Sequence, residues 1–417
     1  MWHLLALRLR HMHNRQIAAA RVPVQNLEFN INHQRREETC VNFEWTEQQN
    51  AFRARVRDFI ARELPPDFEH LSRGGPASRE ITEFSMSFCG KAAKEGLLVP
   101  HWPVEWGGAG ATAYEHFILG EEMWAAGEPR GGQYMNVNWI GVTILKYGTE
   151  EQKRKYVPPM AEGRTLWCQG FSEPGAGSDL ASLRTRAERK GDRFVINGQK
   201  IWTSYAGLAE TCFLLTRTGQ GKGGISIFLV PMDTKGITVR EIPSLVGAGD
   251  IHEVFFDNME VPESYLFGKE GEAWSIITYA LSNERVGIPR YALARRAVER
   301  AVDLLKARGE FKRADVRRRA AQALAFCEAA RMLTYRVLDD RARGLPPSPE
   351  ASVARTAVAA AERNATEFVV EFVPEAIAGA DDLLLEHHQR AIVASIAAGA
   401  AEIQLNLIAN QLLRLPR

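Results

Sequence analysis

The sequence predicts an α+β fold: an N-terminal helical domain, a small antiparallel β-barrel-like domain and a C-terminal four-helix bundle. Two observations lead there. Apolar residues recur at helical spacing up to about residue 165 and again beyond about residue 269, whereas between them short β-branched and aromatic runs are punctuated by Gly, Asp and Pro. Strands gathered in one stretch, rather than alternating with helices, exclude a doubly wound parallel sheet. At 417 residues the chain has room for three packed units, over 41–165, 166–268 and 269–417, after an extension over 1–40.

Taken in order, Thr46-Glu-Gln-Gln49 reads as a capping box, and Phe52, Val56, Phe59 and Ile60 then recur on one helical face until Pro65-Pro66. A second helix is expected from the N-cap Ser78 to Glu95. His101-Trp-Pro-Val-Glu-Trp-Gly-Gly-Ala-Gly110 is a turn-rich loop, and helical spacing resumes over Tyr114–Ala126 and Gln152–Ala161. Arg193-Phe-Val-Ile196 running into Asn197-Gly198 predicts a hairpin. Cys212–Thr216, Gly224–Val230 and Glu253–Phe256 are short strands. In the last third, Ala294, Ala297, Val298, Ala301, Leu304 and Leu305 form one apolar stripe. Val316–Leu338, Ser352–Phe372 and Ile392–Leu413 complete four bundle helices, with Leu345-Pro-Pro-Ser-Pro-Glu350 as a loop.

A formal net charge of +1 gives no electrostatic case for nucleic acid or an anionic membrane. No apolar run reaches the roughly 20 residues of a membrane span. Five cysteines (Cys40, Cys89, Cys168, Cys212, Cys327) without CxxC spacing indicate reduced thiols in a cytosol-like compartment, not a zinc site. The Arg- and His-rich first forty residues suit a disordered extension or an organellar transit peptide, the extension being preferred. The compartment is accordingly expected to be the bacterial cytoplasm, or the mitochondrial matrix if a transit peptide is present.

Several motifs fail on context. Gly219-Gln-Gly-Lys-Gly-Gly224 fits GxGxxG but precedes another strand, so no helix N-terminus awaits a pyrophosphate. Gly170-Phe-Ser-Glu-Pro174 lacks the last glycine of a nucleophile elbow. His387-His388 has no metal-ligand spacing and reads as solvated surface. A stronger signal is the Gly-Ala-Gly-Ser loop paired with Lys200-Ile-Trp-Thr-Ser204. Small residues leave backbone amides open to a ligand, and an indole face can cover a flat aromatic cofactor.

Phe171-Ser-Glu-Pro-Gly-Ala-Gly-Ser-Asp179, Asn197-Gly-Gln-Lys-Ile-Trp202, Glu253–Pro262 and Ala400-Ala-Glu-Ile-Gln404 resemble, in order, segments of the acyl-CoA dehydrogenase family. The resemblance spans about Val41 to Arg417. It implies FAD, with Phe171 and Ser172 at the flavin ring, Trp202 and Ser204 flanking it, and Ser178 near the acyl-CoA thioester. It also implies a base that removes the α-proton while the β-hydrogen leaves as hydride, and an electron-transfer flavoprotein as acceptor.

In many members that base is the Glu of a Tyr-Glu-Gly-Thr motif, where this chain has Ala398. In other members a Glu immediately before an Arg, on another helix, takes over. Glu284 matches it, with Arg285 expected against the substrate, at what the sequence reads as the start of the first bundle helix; the structural alternative is a glutamate favoured there by the helix dipole. Gly287 and Pro289 are expected to disturb the helix just beyond. The family's Gly-Gly-x-Gly flavin turn is replaced by Val373-Pro-Glu-Ala-Ile-Ala-Gly-Ala380, its Thr by Ala400, and its Arg-x-Phe-Gly contact is not recognisable, with Arg317 or Arg318 as substitutes. That combination, with His101–Gly108 and the ending Leu413-Arg-Leu-Pro-Arg417, resembles bacterial members that form α2β2 tetramers and act on steroid or other ring-bearing thioesters. Homotetramer and α2β2 both stay open, as do a non-catalytic partner subunit and a related flavin oxidase or monooxygenase.

Overall fold

The computed structural model describes residues 44–71, 75, 77–247, 249, 251–285, 289–345, 348–397 and 399–415; the side chains of Glu284 and Arg285 lie outside that description, as do the 1–40 extension, Gly287 and Ala398. The unit Met1–Trp45 contributes only its last two residues, and all that follows belongs to the unit Thr46–Arg417.

Helix α1 spans Glu47–Glu63 and opens with the expected box, Thr46 Oγ1 accepting from Gln49 N–H at 3.2 Å and Gln49 Oε1 from Thr46 N–H at 2.9 Å. Ser78 caps α2 (Arg79–Lys94), and Thr112 with Glu115 forms a second box at the head of α3 (Ala113–Ala125). Between them the loop is pinned by Trp102, buried, with Nε1–H on Val137 O at 3.0 Å. Sequence reasoning missed the next stretch, a helical turn at Gln133–Met135, a π turn at Asn136–Ile140 and α4 (Gly141–Tyr147). Its period is hidden because Gln133 and Asn136 face inward, where their amides donate to Thr165 O at 2.7 and 2.9 Å. Helix α5 (Glu150–Ala161) completes this part.

Eight strands follow: β1 Trp167–Gly170, β2 Arg186–Lys190, β3 Arg193–Ser204, β4 Thr211–Arg217, β5 Ile225–Pro231, β6 Ile237–Ile242, β7 Ile251–Pro262 and β8 Leu266–Phe267. They pair in the order β6-β7-β3-β2-β4-β5-β8, with β1 on β4. Most pairings are antiparallel, but β1 and β2 both meet β4 in parallel. Period-two alternation serves two cores. Phe213, Leu215, Ile225, Ile227 and Leu229 pack towards the helices, while Cys212, Leu214, Phe228 and Val230 pack on the opposite face.

The Asn197-Gly198 hairpin does not form. β3 runs straight through it, the register against β7 shifting between Ile196 and Gly198, so the pair makes a bulge. Asn197 Oδ1 accepts Asn258 N–H at 2.8 Å across the strands, and the turn falls instead between β2 and β3 at Gly191 and Asp192.

The C-terminal part comprises α6 (Ala273–Arg285), α7 (Tyr291–Ala307), α8 (Ala314–Ala342), α9 (Glu350–Phe372), α10 (Asp382–Val393) and α11 (Ala401–Leu407), which runs on into a π turn, Ile408–Leu412. α7, α8, α9 and α10 pack on one another as a bundle. The single helix expected over Ile392–Leu413 is broken between Val393 and Ala401. Gly399 takes φ +98°, and the buried Arg355 guanidinium of α9 donates to the carbonyls of Ala394 and Ala397 (2.8 Å to the latter), satisfying the end of α10. Glu284 likewise differs from expectation, lying in the last turn of α6 rather than at a helix start. His387 is not solvated: it lies one turn from Leu384 on the buried face of α10, and burial pushes its imidazole down to about 3. His388 is held by Thr366 Oγ1 at 2.7 Å.

The bulge makes a clear prediction. A Cβ on Gly198 would sit 2.6 Å from Thr185 Cα, at φ +152°. Gly198→Ala should therefore destabilise by about 1–3 kcal/mol, read as a lower urea midpoint with unchanged slope; a free hairpin turn would tolerate the change.

Candidate active site

The loop after β1 and the end of β3 form one structure. Phe171 is buried, its ring 6.0 Å from that of Phe213. Ser172 O accepts Ile201 N–H at 2.9 Å, and Glu173 and Ala176 exchange backbone hydrogen bonds at 2.9 and 3.0 Å around Pro174-Gly175. Ala176 anchors the turn in the core, while Gly175 and Gly177 border open space and Ser178 is exposed. Arg217 closes the far side, donating to Leu183 O at 2.8 Å and Ala181 O at 2.5 Å.

Glu173 and Lys200, which sequence reasoning quoted but gave no role, hold the two segments together. Lys200 Nζ lies 2.8 Å from Glu173 Oε1 and 3.1 Å from Phe171 O, with Lys200 wholly buried. The carboxylate also accepts Arg184 N–H at 2.6 Å and Thr185 N–H at 2.8 Å. Burial pushes the Glu173 carboxyl up, but the Lys200 charge and these hydrogen bonds outweigh it and leave it below the usual range. Burial pulls the Lys200 ammonium down to about 8 against the attraction of Glu173. A signal existed in the sequence: Lys200 has the inward parity of Phe194 and Ile196 on β3, where an unpaired lysine would be untenable.

Immediately beyond Lys200 the register shifts again before Thr203, and Trp202 takes φ +58°, unusual for a bulky residue. The bulge turns its indole outward, 57% exposed beside the loop's partner strand. Ser204 is half-buried at the strand end, and Tyr205 also has positive φ. Phe171, Ser172, Trp202 and Ser204 are thus brought together through Ser172–Ile201 and Glu173–Lys200.

At the end of α6, Asn283 receives Arg341 NH2 on its Oδ1 at 3.1 Å, and α6 packs on the Asn136–Ile140 turn. Tyr279, one turn before Asn283, stacks edge-on to Tyr147 at 5.5 Å with Lys146 Nζ 3.9 Å above its ring. A carboxylate in a last helical turn meets the negative end of the dipole, so helix stability does not account for Glu284. Gly219–Gly224 forms a β4–β5 turn, Thr218 N–H donating to Gly224 O at 2.8 Å, and a strand follows it as expected. Among the described residues no His, Cys, Asp and Glu cluster could hold a metal, and no helix is long and apolar enough to cross a membrane.

This three-part architecture, with an aromatic-faced loop on the sheet and a helical bundle behind it, defines a class. Residues 46–164, 168–259 and 271–413 match, in turn, the N-terminal, middle and C-terminal domains of acyl-CoA dehydrogenase, and the chain belongs to the acyl-CoA dehydrogenase family. Its members bind FAD. The chain is 33% identical over 377 residues to the acyl-CoA dehydrogenase IpdE1 of Mycobacterium tuberculosis, covering 88% of this chain and 97% of that one. It is 36% identical over 325 residues to an acyl-CoA dehydrogenase of Bacillus subtilis, covering 74% and 83%. Among solved structures it is similar to the Tcur3481-Tcur3483 steroid ACAD (TM-score 0.80, 28% identity, 90% and 100% coverage) and to the ChsE4-ChsE5 complex of Mycobacterium tuberculosis (TM-score 0.81, 27% identity, 90% and 100% coverage).

The ion pair is open to test. Glu173→Gln or Lys200→Met alone should cost about 3–5 kcal/mol in urea unfolding, and the double variant much less than the sum. Glu173's contribution, from a depressed pKa, is present above its unfolded value and lost as pH falls through its folded one. For Lys200 the slope has the same sign at higher pH: its folded pKa near 8 lies below the unfolded value of 10.5, so stability linked to it rises between those values. The wild-type minus Lys200→Met difference measured across pH 7–11 checks this sign.

Proposed function

We propose that this chain, with FAD, dehydrogenates a bulky, ring-bearing acyl-CoA thioester to the trans-2-enoyl-CoA and passes the electrons to an electron-transfer flavoprotein. The outward Trp202, fixed beside Ser172 by the ion pair beneath, carries the reading: it offers a flat cofactor an apolar face on an otherwise welded frame. These residues fit one wall of a flavin site, with Phe171 and Ser172 against the ring and Trp202 and Ser204 flanking it. FAD, when bound, supplies the hydride acceptor. Ser178, exposed on the loop, and Arg285 contact the thioester, and Glu284 takes the α-proton from the substrate carbon. Similarity to the solved structures of a steroid ACAD and of an electron transferring flavoprotein of Acidaminococcus fermentans supports the substrate class and acceptor, and the bacterial relatives support a cytoplasmic setting.

The altered turn at Ala376–Ala380 and the split last helix favour an α2β2 assembly in which a related subunit supplies the other wall. A homotetramer, and a chain serving only as the non-catalytic partner, are the competing arrangements. Glu284→Gln should lower kcat about 10²–10⁴-fold while flavin content stays at the wild-type level; retained turnover overturns the base assignment. Flavin per chain after expression alone separates the assemblies: a yellow protein that bleaches with acyl-CoA is self-sufficient, whereas a colourless one that gains flavin only with a partner is not.

A further inference from the structure

Trp202 keeps its left-handed backbone between anchors on either side. Before it, Lys200 is bound to Glu173, and Ile201 N–H donates to Ser172 O. After it, the anchor comes from the neighbouring strand. His252 of β7 lies opposite Thr203, at the first pairing beyond the register shift, with Nδ1 3.2 Å from Thr203 O. A carbonyl can only accept, so Nδ1 carries the proton and the ring donates.

Packing alone does not explain a histidine at this position. His252 is buried and shares the inward parity of Val254 and Phe256, which belong to an apolar core with Ala206 and Ala209. A polar ring is costly in such a place unless it is hydrogen-bonded, and the bond it makes is to the bulge. The far edge of the ring lies against Gly207, where a Cβ would sit 2.8 Å from Nε2 and 3.6 Å from Cδ2 and Cε1. Gly207 does not have a positive φ, so room for the imidazole, not backbone conformation, calls for glycine there. The ring thus braces the chain at Thr203 and at Gly207, on both sides of Ser204.

This brace is placed where the sheet is weak. A bulky residue holds φ +58° only where its surroundings over-determine it. The Lys200–Glu173 pair fixes the near side of the bulge, but on the far side only Thr203 and Ser204 pair with β7 before β3 ends. So short a ladder can slip by a residue, and a slip would carry the Trp202 indole to the other face. We propose that His252 is a positioning residue for the flavin wall: by clamping Thr203 from β7, it holds the bulge that presents Trp202 and Ser204 to the isoalloxazine. Resting on the flavin reading above, this makes β7 a third element of the wall and Gly207 the space it requires.

The test is the Kd for FAD, followed by flavin fluorescence on the apoprotein of the full chain together with any partner it needs. His252→Leu, which keeps the bulk and loses the donor, should bind FAD about tenfold more weakly. His252→Asn, whose amide nitrogen stands where Nδ1 does, should stay within about twofold of the wild type. In a Trp202→Ala background, His252→Leu should cost nothing further, a coupling that general loosening of the fold would not produce. Gly207→Ala gives an independent arm: it should weaken FAD binding by pushing on the ring, and His252→Asn, which ends short of Nε2, should restore it. Wild-type affinity in His252→Leu, an undiminished loss in the Trp202→Ala background, or no rescue of Gly207→Ala overturns the assignment. A wild type that binds no FAD overturns it together with the flavin reading, whereas tight FAD binding with independent losses removes the role of His252 alone.

Discussion

The Glu173–Lys200 ion pair is the constraint around which the sheet-borne part of the site is arranged. A lysine with no exposed surface has only one tolerable arrangement, a carboxylate and further acceptors within hydrogen-bond reach. Meeting that demand places the loop after β1 against β3 in one register. It also fixes parity: with Lys200 inward, strict alternation would send residue 202 inward as well. The register shift before Thr203 breaks that alternation and sends the indole to solvent, at the cost of a left-handed backbone for a bulky residue. Buried charge, bulge, strained φ and exposed tryptophan are successive consequences of one choice.

The helix starts were legible because capping is local. Thr46 with Gln49 and Ser78 announce their helices within a few residues, and the structure adds only the partners. The strands β4 and β5 were legible for the same reason, as short apolar runs between Gly, Asp and Pro. What escaped depends on residues far apart in sequence. Asn197-Gly198 has the chemistry of a two-residue turn, but Asn258 on β7 supplies a hydrogen-bonding partner and makes it a bulge. The split of the last helix escaped because Ala391–Ala401 has good helix formers and a single glycine; the capping group, Arg355, comes from another helix. His387 went astray because its neighbour is equally polar, and only the phase set by Leu384 distinguishes them.

The site's residues show the same division. Phe171, Ser172, Trp202 and Ser204 were read together because they sit in two segments with recognisable punctuation, and the hydrogen bond from Ile201 N–H to Ser172 O joins those segments. Glu173 and Lys200 stood within those segments but looked like ordinary surface charges.

The two walls differ in how their geometry is secured. The sheet wall is over-determined, with a buried ion pair, backbone bonds and a packed alanine converging on one loop. In the C-terminal part, the break between Val393 and Ala401 interrupts the last helix, and the buried Arg355 guanidinium donates to carbonyls within it. Helix α6 packs on the π turn, and its Asn283 is tied to Arg341 of α8. The proposed base, Glu284, is thus carried by an unbroken stretch of helix tied to α8, whereas the last helix of the chain is interrupted.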